Sequence, residues 1–165
     1  MSLFTPSNKF YVSHSAESKK QRSLLDSKAF FSFVSVLSMF FGGIIYLMWR
    51  PTTLLMFSWC RSIGIYEYVL HMRLSCDSMK DSFPKWFIFS LPQALWCFSW
   101  LCCIHAIWIN KSEIHERFWT TLILIISLLA EIMQLFPWIS GVYDPVDIVL
   151  IVLFYFIFKL SIKLI

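Results

Sequence analysis

Long apolar stretches separated by short polar ones dominate the hydropathy pattern of this chain. The clearest, "AFFSFVSVLSMFFGGIIYLMW" from Ala29 to Trp49, has no charged residue and stops at Arg50-Pro51, where proline cannot continue a helix. Three further stretches carry few ionisable groups. Each has at least the roughly 20 residues that a helix requires to cross a bilayer. They cover residues 85–109, 117–138 and 144–165. The pattern predicts four transmembrane helices.

The segment between the first two spans, residues 50–84, is apolar but interrupted by charge. It contains Arg61, Glu67, His71 and Arg73. A charged side chain at the bilayer centre costs roughly 3 kcal/mol on insertion scales, so crossing is unfavourable. We expect an interfacial or re-entrant segment here. If it crossed instead, the chain would have five spans and the C-terminus would lie outside.

Composition agrees with a membrane protein. Hydrophobic residues make up 58% of the 165 residues and charged ones 15%, with a mean hydropathy of +0.68. We therefore predict an all-α, polytopic membrane protein with one transmembrane domain, residues 29–165, preceded by a basic N-terminal segment, residues 1–28. No cleavable signal peptide is expected, because mostly polar residues precede an apolar run too long for a signal sequence.

The distribution of Lys and Arg predicts the orientation in the membrane. Nine of them flank the side that holds both termini, and five lie on the opposite side, within residues 50–85. The positive-inside rule then places both termini in the cytoplasm. We expect the membrane to be the cell inner (plasma) membrane. The basic N-terminal segment would touch anionic lipid, at about 1 kcal/mol per basic residue. It is short and mixed in sign, so we expect no nucleic-acid partner.

Four polar residues around the bend between spans 3 and 4 are the main candidates for a site. Glu131 and Gln134 are three apart and share a helix face, while Asp144 and Asp147 open the next span. With a span that ends at residue 138, Glu131 lies about 10 Å inside span 3, and Asp147 about 4–5 Å inside span 4. The hairpin is expected to bring Glu131, Gln134 and Asp147 into one shallow polar pocket, with Asp144 at its mouth.

Each acid also has a structural explanation to weigh. Asp144 fits an N-cap with Pro145 at the first helical position, and Asp147 also meets the positive end of the helix dipole. Glu131 has no such role, and an acid inside a span indicates a functional or paired group. Glu131 and Asp147 are therefore the candidate catalytic residues. Arg50 and Arg61 are the expected cationic partners on the same side.

The "E-x-x-Q" of one span followed by an Asp at the head of the next resembles the VanZ-like membrane proteins. Glu131, Gln134 and Asp147 carry this resemblance, which covers about residues 85–160. The family pattern also has an Arg between the Gln and the Asp and an Asn after the Asp, and "LFPWISGVY" and Leu150-Ile151 supply neither. The resemblance implies a role in the cell envelope and implies no defined reaction.

Two features of span 2 add further candidates. Pro92 is expected to kink the helix, and Gln93 beside it could satisfy the freed carbonyl or face a cavity as a ligand-binding residue. Cys102, Cys103 and His105 suggest a metal, but the two cysteines point about 100° apart on a helix and no second ligand pair follows. We expect no metal and no cofactor, and His105 to hydrogen-bond across helices.

Three classes of function remain open. The first is a VanZ-like envelope protein whose outward-facing acidic pocket binds a polar or cationic ligand such as a membrane lipid, with Glu131 as a proton acceptor if a reaction is catalysed. The second is a non-enzymatic anchoring or effector subunit, for example of a bacterial defence complex, that docks a soluble partner through its N-terminal segment. The third is a homo-oligomeric cation channel lined by Glu131 and Gln134.

Overall fold

The computed structural model describes residues 7–138 and 142–164, with side chains from residue 21 onward apart from Ser23. The helices are α1 (Ser7–Trp49), α2 (Leu55–Ser62), α3 (Tyr66–Cys76), a 3₁₀ helix (Asp77–Ser82), α4 (Lys85–Phe89), α5 (Leu91–Trp108), α6 (Glu113–Met133) and α7 (Pro145–Leu164). Within these residues there is no strand, which confirms the all-α prediction. Parts of the predicted N-terminal segment, bend and last span (1–6, 139–141 and 165) lie outside the described residues.

In the part of the chain that the structure describes, three helices are long and apolar enough to cross a membrane. They are the Leu24–Trp49 part of α1, α5 and α7. Large apolar side chains such as Phe33, Phe40 and Phe156 are more than 60% exposed on their outer faces. Such exposure is costly in water and normal against lipid tails. The chain is therefore built as a membrane protein.

The closest packing joins α1 to α5 through small residues. The hydroxyls of Ser35 and Ser99 each donate to the other's backbone carbonyl, at 2.9 and 2.8 Å. Two turns further along α1, Gly42 faces the Trp96 indole, and a Cβ on Gly42 would lie 2.7 Å from Trp96 Nε1. Small residues let two backbones approach in a bilayer, where no hydrophobic effect drives helices together.

Apolar side chains of α1, α5 and α7 meet in a buried core at the end of the bundle away from Arg50. Its members are Phe31, Cys97, Phe98, Leu101, Cys102, Ile151 and Phe158. His105 lies among them at 5% exposure, against the rings of Phe31 and Phe158. Its Nδ1 is 2.7 Å from Glu116 Oε1 on α6, so His105 does bond across helices as predicted.

The second predicted span is divided. α4 ends at Phe89, Ser90 follows with a φ of −102°, and α5 starts at Leu91, so 85–109 is not one continuous helix. Pro92 explains the break, because it has no N–H for the carbonyl four residues earlier. The interruption at Ser90 lies two residues before Pro92, where the sequence predicted a kink.

The third predicted span ends five residues early, at Met133 rather than 138. Leu135 and Phe136 make i→i−3 turn bonds, because Pro137 disfavours the helical conformation at Phe136. Glu131 therefore lies in the last turn of α6 and not about 10 Å inside it. The first helix differs in the other direction, since α1 starts at Ser7 and runs unbroken through the predicted N-terminal segment.

The segment between α1 and α4 folds as a helical hairpin against the end of α1. Phe57 and Cys60 of α2 and Val69 of α3 form a small buried cluster that Leu47 of α1 contacts. Arg73 donates from Nη1 to the Leu47 carbonyl and lies over the Phe57 ring. Arg73 thus ties the hairpin to the C-terminal turn of α1.

Candidate functional site

A cavity of about 690 Å³ opens where α1 ends, α5 starts, α6 ends and α7 starts. Its lining is Tyr46, Arg50, Leu54, Lys85, Phe89, Gln93, Trp96, Glu131, Gln134, Val142, Asp144 and Asp147. Six of the seven residues that the sequence suggested are in this lining, drawn from four separate parts of the chain. We call this face of the bundle the cavity end.

Two buried carboxyl groups form the floor of the cavity. Glu131, at the end of α6, is 3% exposed, and Asp147, in the first turn of α7, is 8% exposed. The two side chains interact directly, and Gln134 Nε2 donates to Glu131 Oε2 at 3.0 Å. Asp147 Oδ1 has no hydrogen-bond partner among the described residues. Two adjacent carboxylates repel each other, so this pair is incomplete without a cation or a proton between them.

Asp144 has a structural task at the cavity mouth. Its Oδ1 accepts from Val146 N at 2.9 Å, which confirms the predicted N-cap of α7. The cap fixes the first turn of α7 and so orients Asp147 towards Glu131. Asp144 still lines the cavity and adds negative charge at its opening.

Arg50 supplies positive charge beside the acids. Its Nη2 donates to the Phe89 carbonyl at 3.0 Å, and its guanidinium lies 5.1 Å from the Phe89 ring centroid and 5.6 Å from that of Tyr46. Arg50 Nε is buried without a hydrogen-bond partner among the described residues. The guanidinium is therefore held in place, while its buried Nε–H still lacks an acceptor. Lys85 adds a second cation to the lining.

The six lining residues that the sequence did not suggest include two with side-chain N–H donors, Lys85 and Trp96. Trp96 follows Gln93 at a spacing of three, as Gln134 follows Glu131, and that shared face was a usable signal. Trp96 Nε1 is another buried donor without a partner in the described part of the chain.

Arg61 is the one predicted site residue outside this lining. It lies on the α2–α3 hairpin, where Nη2 donates to Tyr66 Oη at 3.1 Å and the guanidinium sits 4.4 Å from the Tyr66 ring centroid. The described residues also contain no group of three or more His, Cys, Asp or Glu side chains placed to hold a metal ion.

The cavity joins groups of both charges with unused hydrogen-bonding capacity. A carboxylate pair can hold an ammonium or another cation, while Arg50 and Lys85 can hold an anionic group beside it. Such an arrangement suits a small polar group that carries both charges.

Comparison with known proteins gives no relative from which a function could be transferred. No family model, no curated protein and no solved structure matches this chain significantly.

Proposed function

We propose that this chain is a VanZ-like, multi-pass protein of the cell inner membrane whose outward-facing cavity binds a polar, ammonium-bearing headgroup. The Glu131, Gln134 and Asp147 arrangement supports the family, and the two acids supply the charge that an ammonium group requires. Binding is the proposed activity, and whether Glu131 also moves a proton remains a separate prediction.

The proposal includes four membrane crossings, and the way in which the helices meet at their ends supports the fourth. The end of α1 and the starts of α5 and α7 lie at the cavity end, while Phe31, His105 and Phe158 of the same helices meet at the other end. α6 runs between these two ends, from Glu116 beside His105 to Glu131 in the cavity. Its 21 residues span about 31 Å, enough to cross a bilayer. If the other three helices cross, α6 crosses with them.

The α2–α3 hairpin fits the interfacial placement. α2 has 8 residues and α3 has 11, or about 12 and 17 Å, both too short for a hydrocarbon core of about 30 Å. The hairpin follows α1 at the cavity end, so an interfacial position would put it at the headgroup level beside the cavity. The excess of Lys and Arg on the opposite side favours an outward-facing cavity.

One observation carries the proposed binding of an ammonium group. Asp147 is buried beside a second carboxyl group, its Oδ1 lacks a partner in the described chain, and yet it lines an open cavity. A buried acceptor without a partner is costly, and this cost supports a ligand donor at the site. Glu131 and Gln134 provide further acceptors within the same lining.

Binding of the headgroup alone tests this function. Saturation-transfer difference NMR on the purified protein in detergent, with glycerophosphoethanolamine as the probe, should show transfer to the ethanolamine protons. Glycerol 3-phosphate, which lacks the ammonium group, should give a much weaker signal and compete poorly. Equal signals from the two probes, or none from either, would reject the proposal.

A further inference from the structure

A second, apolar groove of about 410 Å³ lies between α5 and α6. Its lining is Gln93, Trp96, Cys97, Trp100, Ile123, Ile126, Ser127 and Ala130. On each helix these residues recur at i, i+3, i+4 and i+7, so each set forms one stripe about 10 Å long. The groove therefore runs between these two antiparallel helices and is open to the lipid side.

The groove and the cavity adjoin each other at two shared lining residues. Gln93 and Trp96 line both. Ala130 of the groove directly precedes Glu131 of the cavity, and the stripes run from there towards Trp100 and Ile123. A molecule with its polar end at Glu131 would therefore extend its apolar part along the groove, towards the middle of the membrane.

We infer that the occupant is a zwitterionic phospholipid, with its ammonium group at Glu131 and Asp147, its phosphate at Arg50 and Lys85, and one acyl chain in the groove. This inference rests on the proposed function and names its ligand class. The charges match in kind, since the cavity lining places two cations beside the acidic pair. The Arg50 Nε, which lacks a partner among the described residues, provides a directed donor for a phosphate oxygen.

Trp96 lies where the headgroup and the chain would meet. Its indole N–H has no partner in the described chain, and Gly42 leaves the space in which the ring lies. An indole with one polar and one apolar side suits the glycerol and ester region of a lipid. The boundary between polar cavity and apolar groove therefore falls where a phospholipid changes polarity.

The acyl chain should add a modest preference rather than a large affinity. In a bilayer the chain is already among other chains, so the groove gains only closer packing and no hydrophobic transfer. We expect filling the groove to weaken lipid capture about threefold to tenfold. The headgroup contacts would supply the selectivity.

Photo-crosslinking in nanodiscs tests the groove. Phosphatidylethanolamine with a diazirine in mid-chain should label Trp100, Ile123 or their groove neighbours, located by peptide mass spectrometry. Ile126→Trp fills the groove and should reduce this labelling about threefold to tenfold. Leu129→Trp is the matched control, because Ile126 is 56% and Leu129 50% exposed on the same helix and Leu129 does not line the groove.

The two proposals fail in different ways. If the lipid probe labels the Ile126→Trp and Leu129→Trp proteins to the same extent, and glycerophosphoethanolamine still binds both proteins, the groove inference is wrong and the headgroup site stands. If unlabelled phosphatidylglycerol displaces the probe as well as phosphatidylethanolamine does, the zwitterionic assignment is wrong. If the lipid labels the groove but the soluble headgroup does not bind, the proposed function is wrong instead.

Discussion

At the residue scale, Glu131 separates a binding role from a packing role. Glu131→Gln keeps an acceptor for the Gln134 amide, now at 3.0 Å, and removes the charge next to Asp147. Contacts to charged groups contribute about 1.5–3 kcal/mol, so we expect glycerophosphoethanolamine binding to weaken roughly 10- to 100-fold. Membrane abundance should not fall, because the repulsion between the acids is relieved. NMR titration measures the binding, and quantitative immunoblotting measures the membrane abundance.

Asp144→Asn is the control for that substitution. Asn caps a helix about as well as Asp, so the Val146 N–H should keep its acceptor and α7 its first turn. Most of the binding should remain. A Glu131→Gln protein that binds as the wild type does would show that the carboxyl group only packs, and would remove the catalytic and cation-pore hypotheses with it.

The two arginines now give different expectations. Arg50 is fixed inside the cavity lining, whereas Arg61 lies on Tyr66, outside it. Arg50→Gln should weaken binding of phosphate-bearing probes by about tenfold, the loss of one charge-assisted contact, and Arg61→Gln should leave it within about twofold. The same NMR titration compares them. Equal losses would indicate an effect of overall surface charge. A substitution of Arg73 would not serve as a control, because Arg73 ties the α2–α3 hairpin to α1 and its loss would disturb the packing.

Local spacing predicted the acidic half of the site and missed much of the rest. Glu131 and Gln134 share a helix face, and a short bend brings Asp147 to the same surface, so sequence distance alone placed them together. Lys85 reaches the cavity only because α4 packs on α1, and the position of Arg61 depends on the fold of the α2–α3 hairpin. Such tertiary placements have no periodic signal in the chain.

At the element scale, we expect the α1–α5 contact to tolerate a side chain at Gly43 and not at Gly42. Gly42→Ala would place Cβ 2.7 Å from Trp96 Nε1 and 3.2 Å from the Pro92 carbonyl, so the helices must separate or the indole must move. Overpacking of this kind costs about 1–3 kcal/mol. We expect a lower thermal midpoint in detergent and weaker headgroup binding, because Trp96 lines the cavity.

Gly43→Ala supplies the comparison, since nothing lies within 4 Å of its added Cβ. It should be neutral or slightly stabilising, as Ala favours a helix over Gly by about 1 kcal/mol. Similar losses of stability in both variants would show that α1 tolerates no change here and that the close approach to Trp96 is not the cause.

Helix ends were harder to predict than helices. The apolar runs located α1, α5, α6 and α7, but their hydropathy continues past the points where proline chemistry acts. Pro92 divides the second run at Ser90, and Pro137 ends the third at Met133. The consequence concerns the site, since Glu131 lies in the last turn of α6 rather than well inside the predicted span.

At the scale of the whole molecule, the other two function classes make separate demands. A cation channel requires ion flux through reconstituted liposomes that Glu131→Gln abolishes. An anchoring subunit requires a soluble partner that the N-terminal segment retains on the membrane. Substitutions in the cavity should then not affect this retention. The cavity between helices of one chain needs neither a second copy nor a partner to exist, which is why headgroup binding is the proposal here.

The proposed crossing of α6 and the side that the cavity faces can be tested together. Val142 is 85% exposed at the cavity end, and Glu113 is exposed in the first turn of α6 at the other end. In a background with the five native cysteines replaced by alanine, Val142→Cys and Glu113→Cys should lie on opposite sides of the membrane. A membrane-impermeant maleimide added to intact cells should label only Val142→Cys, and Glu113→Cys only after permeabilisation. Glu113 is preferred to Lys111 because acidic residues contribute little to orientation. Labelling of both from outside would mean that α6 does not cross, and labelling of Glu113→Cys alone would turn the cavity towards the cytoplasm.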